Sequence, residues 1–209
     1  MYLCTLCQST QVIAHSTLGF FVCHICDLIF KDPKFHLNPS QEKTRYLLHE
    51  NDPLNKDYRE FLNRLLEPLT EKINPSMTGL DFGCGPTTAV SHILKEKNIE
   101  CASYDPHFFN DIKLLESQYD FIVCSEVVEH FYRPKKEFDL LNILLNPGGW
   151  LAVMTQSPPA DFASWGYHRD PTHVSFFSDK TLAWIANRYS YEVFRHNAGV
   201  RLFKKKGAI

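Results

Sequence analysis

Gly79-Leu80-Asp81-Phe82-Gly83-Cys84-Gly85-Pro86-Thr87-Thr88-Ala89-Val90 is the stretch that decides the fold of this chain. A short apolar strand runs to Asp81, and two glycines let the backbone turn sharply beside a ligand. Pro86 stands in a first helical turn, where its missing N–H costs nothing. The stretch reads as strand, glycine turn and helix N-terminus. Such a junction offers orphan backbone donors and a positive dipole end to a polar ligand at the carboxyl edge of a parallel sheet. Taken alone it also fits an ordinary glycine turn. Twenty residues beyond Gly85, however, the strand from Glu100 ends in Asp105, where a doubly wound fold places the carboxylate that receives two ribose hydroxyls. The pair is more specific than either part.

Strands and helices alternate on either side of this turn. Before it, residues 57–72 carry Tyr58, Phe61, Leu62, Leu65, Leu66 and Leu69 at a 3.6-residue period, which predicts an amphipathic helix lying on a sheet. After it, residues 88–97 read as helix. Tyr119-Asp120-Phe121-Ile122-Val123-Cys124 reads as a third parallel strand, followed by Ser125-Glu126-Val127-Val128-Glu129-His130-Phe131 and a helix to Leu145. A turn at Asn146-Pro147-Gly148-Gly149 then leads into a strand over 150–155. Residues 178–189 predict a capped helix, and 191–194 with 200–204 a final antiparallel hairpin about Asn197-Ala198-Gly199. The expected class is α/β, a doubly wound Rossmann-like sheet. Only thirteen residues, 107–119, run from Asp105-Pro106 into the first residue of the next strand, which is short for a further helix and edge strand.

The N-terminal segment has its own chemistry. Cys4-Thr5-Leu6-Cys7 and Cys23-His24-Ile25-Cys26 lie fifteen residues apart, a spacing that lets two tight knuckles deliver four thiolates to one zinc ion. Between them, 11–15 and 19–22 predict a hairpin, so the segment reads as a zinc ribbon, closed by four protein ligands and therefore structural. Ribbons often carry glycine after each pair; Gln8 and Asp27 stand there instead. The organisation expected is a zinc ribbon over 1–32, a linker or lid helix over 33–56, and the α/β domain over 57–209. Arg45 to Asn51 fits equally a helix packed on that domain and a lid over its ligand.

With 44% hydrophobic and 22% charged residues and a net charge of −2, the composition is that of a soluble globular protein without a global basic field. Lys204-Lys205-Lys206 is the one compact basic run and reads as a solvated tail. No apolar run has membrane-spanning length and no signal peptide is recognisable, which places the chain in the cytoplasm. There the paired cysteines favour metal over disulfides.

Asp81-Phe82-Gly83-Cys84-Gly85, Asp105, Cys124-Ser125-Glu126-Val127-Val128-Glu129-His130 and Asn146-Pro147-Gly148-Gly149-Trp150 together resemble the successive motifs of class I S-adenosylmethionine-dependent methyltransferases, over residues 77–200. Dinucleotide dehydrogenases, the competing family, prefer a third glycine where Thr88 stands. The resemblance implies S-adenosylmethionine held by Gly83, Cys84 and Gly85 under its methionine portion and by Asp105 at its ribose. Asp81 would position the turn and Glu126 border the crevice. The short 107–119 connection implies loss of an edge strand, and no residue is assigned to adenine.

On the acceptor side the candidates are Glu129, His130 and His173; Glu126, Glu129 and His130 stand at i, i+3 and i+4, which on a helical turn places two carboxylates and an imidazole on one face. The ExxEH grouping with a distant histidine resembles the magnesium-binding motif of small-RNA 3′-terminal 2′-O-methyltransferases. Without that histidine it resembles the motif of polyhydroxybenzoate O-methyltransferases. That resemblance implies a divalent ion such as magnesium lowering a hydroxyl's pKa. A histidine lining the pocket without metal, or His173 as general base, fits the same residues. Trp165 and Tyr167 suit either stacking on an acceptor or packing their own loop. The leading expectation is methyl transfer to a small-molecule hydroxyl. The alternatives are an RNA methyltransferase gripping RNA with its ribbon, and a silent binding module.

Overall fold

The structure, a computed structural model, describes residues 2–48, 51–197 and 199–207. Two cysteine knuckles are joined by the antiparallel hairpin of β1 (Val12–Ala14) and β2 (Phe20–Cys23), as the sequence leads one to expect. A third strand, β3 (Ile29–Lys31), pairs with β2 and is too short to show a period in sequence. Next comes α1 (Pro39–Tyr46), opened by a capping box in which Asn38 and Gln41 exchange side-chain and backbone bonds of 3.0 and 3.1 Å. Pro39-Ser40 is also a helix start by sequence pattern, and the helix begins there but ends at Tyr46. Beyond it Leu47 and Leu48 point into solvent, and His49 and Glu50 lie outside the described residues.

α2 (Lys56–Thr70) is capped by Asn55 and buries Leu62, Leu65, Leu66 and Leu69, the stripe its period predicts. Each such leucine contributes about 1.5–3 kcal/mol. The α/β alternation follows: β4 (Thr78–Phe82), α3 (Ala89–Lys95), β5 (Glu100–Tyr104), β6 (Tyr119–Ser125), α4 (Pro134–Leu144) and β7 (Leu145–Met154). β8 (Ser175–Phe176), α5 (Asp179–Arg188), β9 (Tyr191–Asn197) and β10 (Val200–Lys205) complete the chain.

The main sheet has the order β5-β4-β6-β7-β10-β9, with the first four strands parallel and β10 antiparallel to both neighbours. β5 is an edge strand. The segment between β5 and β6 forms a single 3-10 turn, Ile112–Glu116, in place of a further helix and strand. The chain reverses winding direction between β4 and β6, so a crevice opens at their carboxyl ends. Helices α2 and α3 cover one face of the sheet; Phe138, Leu141 and Leu144 of α4 with Leu182 and Ile185 of α5 pack on the other.

The turn expected at residues 146–149 lies inside β7 as a bulge: Tyr119 pairs with Leu145 but Phe121 with Trp150, and Gly148 sits at φ +79°. Gly79 is needed for packing, since a Cβ there would stand 2.1 Å from the Phe121 ring.

A second, four-stranded sheet has the order β1-β2-β3-β8. Its last strand comes from the long loop after β7, so the ribbon's sheet is finished by the α/β part of the chain. Ribbon residues Leu6, Leu28 and Phe30 belong to the same apolar cluster as Phe138 and Phe177.

Candidate active site

The glycine turn leaves β4 with Gly83 at φ +82° and Gly85 at φ +69°, conformations that L side chains avoid. Gly83 is fixed twice over, because a Cβ there would lie 2.6 Å from Val127 Cγ1. Gly83 and Cys84 N–H donate to the Tyr104 carbonyl at 2.8 and 3.1 Å, while Gly85 N–H donates to Asp105 Oδ2 at 3.0 Å. The twenty-residue spacing is thus a direct bond between the turn and the acid. The other Asp105 oxygen accepts from His107 and Phe108 N–H at 2.8 and 3.2 Å. Asp81, buried at the end of β4, has its pKa pushed up to about 8 by burial and then by Asp105. Burial also raises the half-buried Cys84 thiol.

The linker closes over this crevice. Asn51 offers its carbonyl to Thr87 Oγ1 at 2.7 Å, and α1 touches both His107, beside Asp105, and His130. Glu42, buried on α1, accepts from Tyr46 Oη at 2.8 Å and lies 3.5 Å from His107 Nε2. The Tyr46 ring packs edge-on against His130 at 5.2 Å between centroids, and Arg45 holds Asp170 through two bonds to Oδ2 of 2.8 and 3.1 Å. Burial would raise Asp170, but Arg45 and Thr172 outweigh it and hold the carboxyl well below its usual range.

Glu129, His130 and His173 come together: one ligand atom of each lies within 4.8 Å of the others. His173 Nδ1 is 2.7 Å from the Tyr167 carbonyl oxygen and His130 Nδ1 is 3.1 Å from that of Thr172. A carbonyl only accepts, so each Nδ1 carries a proton and in the neutral ring the lone pair falls on Nε2. Glu126 does not share a helical turn with the other two, as its spacing suggested. It directly follows β6 at φ +52°, and only Val128–His130 forms a 3-10 turn. Non-glycine residues in that conformation concentrate at functional sites.

Tyr167 joins the two glutamates. Its hydroxyl contacts Glu126 Oε2 at 3.0 Å and makes a very short contact with Glu129 Oε1. One phenolic proton cannot serve two carboxylates, so a second proton must reside on the pair. Burial raises Glu129, aided by the charge of Glu126, and burial raises Glu126 against the opposing pull of Tyr167 and Arg64. Both buried carboxyls are thus pushed toward the protonated form. Glu129 Oε2 has no hydrogen-bond partner among the described residues.

In the ribbon, Cys4 Sγ lies 3.5 Å from Cys26 Sγ and Cys7 Sγ lies 3.4 Å from Cys23 Sγ. A tetrahedral zinc with Zn–S near 2.3 Å spans about 3.8 Å between sulfurs, so these two pairs come within a few tenths of an ångström of that spacing, and all four sulfurs lie within 4.8 Å of one another. Gln8 and Asp27 take the left-handed conformation, φ +62° and +64°, that glycine would adopt more cheaply. Each has a bond of its own. Gln8 Nε2 donates to the Cys4 carbonyl at 3.0 Å, and Asp27 accepts from Ser178 Oγ, the cap of α5, at 2.6 Å.

The sheet order, the glycine turn and the acid after the second strand define a methyltransferase-type doubly wound protein. A family model described as a methyltransferase domain matches residues 54–196, and the chain belongs to that family. Among solved structures it is similar to an O-methyltransferase family protein from Burkholderia thailandensis, with TM-score 0.55 and 13% identity, over 80% of this chain and 63% of that one. It is also similar to a SAM-dependent methyltransferase from Archaeoglobus fulgidus, with TM-score 0.57 and 16% identity, over 77% and 99% of the two chains. A third is CalO1, a methyltransferase in calicheamicin biosynthesis in its SAH-bound form, with TM-score 0.50 and 11% identity, over 73% and 55%. The chain thus spans less than two thirds of the first and third of these proteins. At such identities the likeness is one of fold. No curated protein sequence matches the chain.

Sequence reading missed several site residues. Tyr167 was anticipated as a stacking or packing residue, and it does stack on Trp165 at 4.9 Å, but its bridge between glutamates needs three-dimensional placement. Glu42, His107 and Lys31 carried no motif at all. The Arg45 to Asn51 stretch was the one signal pointing toward α1.

Proposed function

We propose that this chain transfers a methyl group from S-adenosylmethionine to a hydroxyl oxygen of a small molecule by direct in-line displacement. The observation that carries this reading is the set of two Nδ1-anchored imidazoles beside Glu129, next to the Gly83–Asp105 cradle. The cradle fits the cofactor: Gly83, Cys84 and Gly85 would lie against its methionine portion, Asp105 would hold its ribose, and Glu126 would border it. When bound, S-adenosylmethionine supplies a methyl group already activated by a sulfonium.

The chain's own task is then to align the acceptor and accept its proton. His173 Nε2 is the proton acceptor, and the Tyr167 carbonyl holds its ring in register. His130 orients the acceptor hydroxyl. A proton held on the buried Glu126–Glu129 pair limits the negative charge beside the reacting oxygen. His173 and Glu129 are themselves buried, which suits a small acceptor better than an RNA strand. The reading keeps the division foreseen from sequence, with the ribbon over 1–32, the linker over 33–56 and the catalytic part over 57–209.

A divalent cation is a second reading, favoured by the orphaned Glu129 Oε2 and by a Glu129 carboxylate oxygen within 4.8 Å of a nitrogen of each imidazole. Two nitrogens and one carboxylate suit manganese or zinc better than magnesium, which prefers oxygen. Activity after exhaustive chelation, with and without added manganese, separates the two. Unchanged turnover supports the histidine base, and manganese-dependent recovery supports the cation.

The test of the main reading is transfer of radiolabelled methyl from S-adenosylmethionine into the small-molecule fraction of a cell extract. His173→Ala should lower labelling by about 10²-fold or more. Label appearing only in RNA or protein would overturn the choice of acceptor, and no label with no cofactor binding would overturn methyl transfer itself.

A further inference from the structure

We infer that the zinc ribbon is a structural part of the acceptor site, with Lys31 as the positioning residue that holds the His173 loop in place. The inference rests on the methyl-transfer reading for its catalytic consequence, but its structural basis is independent of it.

Strand β3 is the bridge. Ile29 and Phe30 pair with Phe176 and Ser175, and Lys31 N–H donates to the Val174 carbonyl at 2.9 Å. Val174 N–H in turn donates to the Glu129 carbonyl at 2.8 Å, so one ladder runs from the ribbon through the His173 loop to the glutamate turn. Ser175 Oγ bonds the Phe131 carbonyl at 2.8 Å on the same path. On the ribbon's inner side Phe20 packs with Phe162 and Phe176 at 5.2 and 5.8 Å, and Trp165 and Tyr167 lean on that cluster.

Lys31 acts at the point where the loop turns. Its Nζ donates to the carbonyls of Asp170 and Pro171 at 3.2 and 3.1 Å, and the same Asp170 carbonyl accepts from His173 N–H at 3.2 Å. The side chain is 8% exposed. A lysine ordinarily carries its ammonium into water. Here it is held beneath two backbone carbonyls at a desolvation cost, which also pulls its pKa down to about 8. A methionine would fill the space more cheaply but would donate nothing. What the ammonium supplies is a fixed 170–171 turn, and with it the placement of the His173 imidazole. The glycine cradle lies in the other sheet and does not touch Lys31, so the two halves of the site are separable.

The experiment compares wild type, Lys31→Met, Lys31→Arg and the exposed control Lys34→Met, each with its native zinc. Hydrogen exchange should rise for backbone amides of residues 165–175 in Lys31→Met while residues 79–94 stay unchanged, and affinity for S-adenosylmethionine by calorimetry should stay within about twofold. Labelled methyl transfer should fall by about 10-fold or more, the cost of an ångström-scale misplacement, with the half-saturating cofactor concentration unchanged. Lys31→Arg, which keeps the donors, should recover most of the rate. Unchanged exchange in 165–175 would overturn the inference, as would exchange rising equally throughout the chain, which would mark a packing residue only. Absence of labelling in wild type would refute the methyl-transfer reading, while the exchange comparison would still decide the role of Lys31.

Discussion

Glu129 shows how burial sets the chemistry of one residue. A glutamate in the unfolded chain titrates near 4.5, whereas burial holds Glu129 at about 8, so the native state binds that proton more tightly across the interval. Stability contributed by the bound proton is therefore full below about 4.5 and is lost as pH rises through about 8. Glu126 and Asp81, raised to about 7 and about 8, act with the same sign. Thermal unfolding followed from pH 5 to 8 should show a falling Tm. Glu129→Gln, which removes the titration, should flatten the slope and gain on the order of 1–3 kcal/mol at pH 8. At Gly83 the expectation is the reverse. Ala must accept φ +82° and a 2.6 Å contact with Val127, so Gly83→Ala should cost on the order of 2–4 kcal/mol in denaturant unfolding. Gln8→Gly, by contrast, relieves a left-handed residue and should stabilise the knuckle by up to about 1 kcal/mol, less the lost bond to the Cys4 carbonyl.

Among the elements, legibility followed sequence distance. β4, the glycine turn, β5 and Asp105 form one contiguous unit, and their spacing alone pairs the turn with the acid, though not the direct Gly85–Asp105 bond that the structure adds. The α2 stripe was legible for the same reason, since a 3.6-residue period is local; Leu66→Ala should cost about 2–5 kcal/mol as a core cavity. β3 and β8 were not legible. Strands of three and two residues carry no period, and their pairing joins Ile29 to Phe176 across most of the chain. The ends of α1 and the conformation of Glu126 depend likewise on tertiary partners rather than on propensity. Loss of the Arg45–Asp170 bonds in Arg45→Met should loosen α1 without touching the cradle. Limited proteolysis between residues 39 and 48 should quicken at least several-fold, and an unchanged cleavage rate would show that α1 is held by other contacts.

On the scale of the whole molecule, parts from elsewhere in the chain flank the crevice at the carboxyl ends of the main sheet's parallel strands. α1 reaches His107 just beyond Asp105, and the ribbon contributes Lys31 beneath the His173 loop. Among the described residues no helix is long and apolar enough to cross a membrane. Zinc content by mass spectrometry of the native protein should be one ion per chain, held by Cys4, Cys7, Cys23 and Cys26. The central claim is that the turn at Gly83 to Gly85 and the Asp105 carboxylate form one cradle for S-adenosylmethionine. Its most direct test is calorimetric titration of wild type and Asp105→Ala with that cofactor. One site per chain in wild type, weakened at least about tenfold in Asp105→Ala, is the expected result. No binding heat with wild type, or equal affinity in the two proteins, would contradict it.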